Sequence, residues 1–113
     1  MDAVKIGYNF RTVNPTALTQ IVDPAANING VVIRTGAIVS STGTLNLWSG
    51  QTAPTGIGDR TKPAIFGANG SAAGGANEQV LLPYPLFIPA GYGLWAHSNV
   101  AGAAISLTWD FLS

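Results

Sequence analysis

Near the C-terminus Ile105, Leu107, Trp109 and Phe111 fall on alternate positions, with Ser106, Thr108 and Asp110 between them. A period of two belongs to a strand with one face buried. Slipping its register by one residue would turn four large side chains into water, so the pairing of a strand over 105–111 is expected to be well fixed. Residues 30–40 are rich in Val and Ile and lie between turn residues, which predicts a long strand bent near Gly36. Residues 44–49 set Leu45 and Leu47 against Asn46 and Trp48, and the short turn at Gly43 predicts a hairpin with the strand before it. Shorter runs at 5–11, 16–22, 63–67, 79–82, 86–88 and 93–98 read as strands too. Apolar residues nowhere recur at three and four positions over an uninterrupted dozen, so no helix is expected.

The 14 Gly and 7 Pro punctuate these runs. Eight or so strands in 113 residues describe one domain, 1–113, built as a β-sandwich or barrel around a single core. Two Gly-rich stretches, 50–62 and 67–78, are longer than ordinary hairpin turns and are expected to be loops.

Charge changes the picture. Five Lys and Arg balance five Asp and Glu, so 9% of the chain is charged while 47% is hydrophobic; a soluble domain is usually about 25% charged. Such a chain must cover its surface with uncharged polar groups or hide part of it against copies of itself or a partner. Lys5, Arg11, Arg34, Arg60 and Lys62 are scattered, which argues against nucleic acid as a partner. No segment approaches the roughly 20 apolar residues of a spanning helix, and no basic cluster would draw the chain to anionic lipid, so no membrane partner is expected. With no cysteine there is no disulfide framework and no thiolate site, and the first residues lack the pattern of a secretion signal.

The chemical inventory is small. His97 is the only histidine, there is no G-x-S-x-G elbow, and the carboxylates Asp2, Asp23, Asp59, Glu78 and Asp110 are far apart. The residues offer no catalytic set, no cofactor motif and no metal cluster, and the chain is not expected to be an enzyme. Residues 56–61 lack the glycine and lysine of a phosphate loop and read as a turn, as does Asn69-Gly70-Ser71 despite matching a glycosylation sequon. Trp48 and Trp95 fall on the polar side of their strands, Trp48 with Asn46 and Trp95 with His97. An aromatic beside polar groups serves subunit contacts and sugar-stacking platforms alike. A subunit contact is the preferred reading, because self-association also accounts for the missing charge, and a glycan platform is the alternative. His97 is read with them as an interface histidine. Arg34, on an otherwise apolar run, is expected either to bridge to a carboxylate of a neighbouring subunit or to blunt a sheet edge.

The segment from Leu82 to Ala96, with Ile88-Pro89-Ala90-Gly91-Tyr92-Gly93-Leu94 at its centre, followed by the alternating run from Ala103 to Leu112, resembles the C-terminal half of small jelly-roll structural proteins of tailed-bacteriophage virions. In that turn Pro89 ends one strand, Gly91 and Gly93 supply a permissive backbone, and Leu94 begins the next. The resemblance implies an all-β, jelly-roll-like β-sandwich of about eight antiparallel strands. It also implies a homotrimeric decoration or cement protein on the capsid surface of a virion, with the phage major coat protein or another virion protein as partner. A tail or fibre tip that binds glycan is the alternative. Residues 1–29 lie outside the recognisable pattern, as an opening strand or an intersubunit arm.

Overall fold

The computed structural model describes residues 5–40, 43–56, 59, 61–70, 78–99 and 103–112. Among the described residues nine strands form, each overlapping a run that the alternation and punctuation predict: β1 (Asn9–Val13), β2 (Thr19–Val22), β3 (Val31–Ser40), β4 (Gly43–Gly50), β5 (Ala64–Gly70), β6 (Glu78–Leu81), β7 (Leu86–Ile88), β8 (Gly93–Ser98) and β9 (Ala104–Phe111), with β1 and β2 starting later than the runs at 5–11 and 16–22. The described residues contain no α-helix; Asp23 caps a single 3-10 turn, Pro24–Ala26, by accepting from the Ala25 N–H at 2.9 Å.

Two antiparallel sheets result. Sheet A has the order β1-β9-β3-β6, with β7 beside β6 along the same edge of β3, and sheet B has the order β2-β8-β4-β5. From β1 to β4 the chain changes sheet at every connection, and the two interleaved four-strand orders are those of a jelly roll. The domain is thus a jelly-roll β-sandwich. The core lies between the sheets and is made by Val31, Ile33, Ile38, Ile105, Leu107 and Trp109 of sheet A facing Val22, Leu45, Leu47, Leu94 and Ala96 of sheet B.

Three expectations are corrected. The strands on either side of Gly43 do not form a hairpin: β3 pairs with β9, β6 and β7, whereas β4 pairs with β5 and β8 in the opposite sheet. Both have an apolar face to bury, and placing them in opposite sheets buries both against each other across the core. The glycine-rich stretch after 67 starts later than expected, since β5 continues to Gly70. Phe111 completes the alternation of β9 but is exposed at the last position of the strand, opposite the buried Val31.

The bend expected near Gly36 is a bulge two residues earlier. The β3–β9 register shifts between Ile33 and Thr35, leaving Arg34 as the extra residue and turning Thr35 to the outer face opposite Thr108. The next step puts Gly36 on the core side, where a Cβ would lie 2.9 Å from the Leu107 side chain.

The turn from Ile88 to Leu94 works through two different properties of glycine. Gly91 has φ +83° with open space around it, a conformation that L side chains avoid. Gly93 is needed for space: a Cβ there would lie 2.6 Å from the Val22 carbonyl oxygen. Asn27, buried, fastens this turn to the chain between β2 and β3. Its amide donates to the Pro89 and Tyr92 carbonyls, and its side-chain oxygen accepts from Gly30 N–H, all at 2.8 Å.

Candidate functional site

Trp48 and Trp95 occupy the outer face of sheet B, as their parity requires, and are direct partners across β4 and β8. Asn46 and His97 form the next outward pair. Neither indole is available at the surface: Trp48 is 1% exposed and Trp95 4%. The loop from β4 to β5 folds back over this end of the sheet. Trp48 Nε1–H donates to the Asp59 carbonyl at 3.3 Å, Ser49 N–H donates to the Pro63 carbonyl at 3.0 Å, and Pro54 is buried. The expectation of exposed tryptophans as a ready subunit contact or sugar platform is therefore corrected. At Trp48 the chain's own loop supplies cover that the sheet does not. His97 is half-buried, and its Nδ1 has no hydrogen-bond partner among the described residues.

Asp59 holds the loop in place. Its carboxylate accepts from the Thr61 hydroxyl at 2.6 Å, Thr61 N–H at 2.8 Å and Thr55 N–H at 2.9 Å. These donors, the Thr61 hydroxyl foremost, favour the ionised form and lower its pKa to about 2. Of the residues read as a turn around it, Ile57, Gly58 and Arg60 lie outside those described, as does Ser71 of the sequon.

The outer face of sheet A is built differently. Along its middle runs a polar strip whose groups bond to one another: Thr12 Oγ1 with Ser106 Oγ at 2.7 Å, Thr35 Oγ1 with Thr108 Oγ1 at 2.6 Å, and Gly7 N–H to Thr108 Oγ1 at 2.9 Å. Arg34 Nε donates to Asp110 Oδ2 at 3.0 Å, and Tyr8 N–H donates to Asp110 Oδ1 at 2.6 Å. The Tyr8 N–H, followed by Arg34, holds the Asp110 carboxyl below its ordinary pKa. Arg34 thus finds a carboxylate within its own chain, and its side chain stays partly exposed.

Both margins of this face are apolar and exposed. On the β1 margin Ile6, Tyr8 and Phe10 point outward, Tyr8 at 93% and Phe10 at 78% exposure. Alternation alone would put these large residues inside. The structure reverses the strand, because Val13 pairs with Ile105 on the core side and the buried Gly7 lies against the backbone of Trp109. On the opposite margin Leu81, Tyr84 and Phe87 are 59 to 64% exposed.

A groove opens beside that second margin. Pairing of β3 with β7 stops at Ile33↔Leu86 and pairing with β6 begins at Ala37↔Leu81. Between them the chain carries Pro83 and Pro85, which have no N–H to give the ladder. The result is a groove of about 270 Å³ lined by Arg34, Thr35, Gly36, Leu81, Leu82, Pro83, Tyr84 and Pro85. Sequence reasoning did not single out either margin. The available signal was a strongly alternating N-terminal run whose polar parity holds the buried Gly7, and two prolines flanking Tyr84.

No protein-family model matches the chain, and no curated protein matches it significantly.

Proposed function

We propose that this chain is a structural protein of a bacteriophage virion, a capsid decoration protein that self-associates as a trimer and bridges coat subunits. The observation that carries the reading is the outer face of sheet A, with six large apolar side chains exposed along its two margins in a chain only 9% charged. Exposed apolar area of this extent on a domain poor in charge favours burial against another protein surface. The jelly-roll strand order and the resemblance of the 82–96 and 103–112 segments to virion proteins support the kind of assembly proposed. The role is mechanical: each copy adds buried area between neighbouring coat subunits and opposes their loss, and several weak contacts on one oligomer add up through effective concentration.

The test is to mix the purified protein with shells of a tailed-phage coat protein and to measure its solution mass by light scattering. A trimer that sediments with shells and raises the temperature at which they break is expected. A chain that stays monomeric at high concentration and remains in the supernatant would sink the proposal. The glycan reading calls for rings at the surface, and Trp48 and Trp95 are 1% and 4% exposed.

A further inference from the structure

We infer that the two margins of sheet A form one head-to-tail contact between copies, in which Tyr8 and Phe10 of one chain seat in the groove beside Tyr84 of the next. The inference rests on the self-association proposed above and names the surfaces that perform it. The first support is the reversed strand. A run that turns Ile6, Tyr8 and Phe10 to the outside while burying Gly7 leaves its apolar parity without a partner inside the chain, and aromatic rings gain most when a surface is found for them.

The groove meets that need in size and chemistry. At about 270 Å³ it lies below the roughly 300–1,000 Å³ of small-molecule sites, a size suited to one or two side chains. Its walls are the leucine, proline and tyrosine side chains of residues 81–85, with Arg34 at the β3 side, and a guanidinium beside an aromatic face is attractive. Arg34 is already paired with Asp110, so an entering ring strands no charge. The strip between the margins is bonded within itself, so excluding water from it leaves few groups wanting partners.

Area and symmetry agree with a second copy as occupant. Each aromatic ring buries about 150–250 Å² when covered. Two rings from one chain account for about 300–500 Å², and the exposed parts of Leu81, Tyr84 and Phe87 of the next add to this toward the roughly 1,000 Å² that a specific interface needs. The inserting residues and the groove lie on opposite margins, so the contact is heterologous and either closes into a ring or extends as a filament; closure at three is the outcome that the trimer proposed above requires.

The experiment compares, by size-exclusion chromatography with light scattering, the unmodified chain, Phe10→Glu, Tyr84→Glu and an equal mixture of the two variants. Circular dichroism and melting confirm that each variant folds, and Phe10→Ser serves as a milder second change. The unmodified chain is expected at three chain masses and each variant at one. The mixture is expected at two, because one variant keeps the groove and the other keeps the rings, so they can make a single contact. If the variants keep the mass of the unmodified oligomer, the contact lies elsewhere and the inference falls while self-association stands. A two-chain mass for the unmodified protein overturns the head-to-tail geometry. A monomeric unmodified protein removes both the inference and the reading on which it rests.

Discussion

The two outer faces of the sandwich both carry aromatic residues on positions that point away from the core, and the chain treats them in opposite ways. Over sheet B it sends back the loop between β4 and β5, anchored through Asp59, and Trp48 and Trp95 end up as buried as core residues. Over sheet A the described residues supply no such cover. Tyr8, Phe10, Tyr84 and Phe87 remain exposed, and the polar strip between them is closed into its own hydrogen bonds. An outward aromatic is therefore a statement about need for cover, and the cover comes either from a long loop of the same chain or from another molecule.

The largest expected effect comes from breaking the covered face. Trp48→Ala removes a fully buried indole together with its bond to the Asp59 carbonyl, and large-to-small changes of this kind cost about 3–5 kcal/mol. Phe10→Ala, on the open face, should change the unfolding free energy of the monomer by about 0.5 kcal/mol or less, as exposed substitutions usually do. Urea unfolding of both variants under monomeric conditions checks the contrast. Equal losses would mean that the two faces are not different in kind.

A smaller effect is expected from the polar strip. Thr108→Val keeps the shape of the side chain but takes a hydroxyl from Thr35 and an acceptor from the Gly7 N–H. One or two partly exposed hydrogen bonds are worth about 1 kcal/mol together, and the Gly7 amide should exchange with solvent faster. Adding Thr35→Val should cost little more, because the two residues share one bond. Full additivity in the double variant would show that the strip is not the connected network that its distances describe.

Strand positions were legible because a period of two is a local property. The 86–88 and 93–98 runs match β7 and β8, and 30–40 matches β3 to within a residue. What the sequence hid is nonlocal. Nothing near Gly43 shows that β3 and β4 belong to different sheets, since the choice is made by β9 and β8, which lie more than 40 residues further on. The parity of Trp48 and Trp95 was readable, but not their burial, nor the loop over Trp48, whose anchoring depends on Asp59 meeting Thr55 and Thr61. Asn27 carries no local signal of its role, and only the arrival of Pro89 and Tyr92, 62 and 65 residues away, makes it a fastener. The reversal of β1 is the most instructive case. Its large residues sit on one parity as in an ordinary amphipathic strand, but the side facing the core is set by how Gly7 and Val13 meet Trp109 and Ile105.

The finest test of the contrast uses pH, since the loop over sheet B depends on an ionised carboxylate. Asp59 has its pKa lowered to about 2 in the folded chain, against roughly 3.9 for an unfolded aspartate. Because the folded value is the lower one, the unfolded state takes up the proton first as the solution is acidified. The stabilisation from Asp59 is therefore complete above about pH 4 and is lost as pH falls through the interval down to about 2. Asp59→Asn removes this dependence and leaves Asp110, whose pKa is also lowered, titrating in both proteins. The parent chain should melt at a higher temperature than the variant at neutral pH, and the difference should shrink toward pH 2, with the Trp48 environment shifting first in fluorescence. A difference in melting temperature that stays constant from pH 7 to pH 2 would show that the loop is held over Trp48 by packing alone.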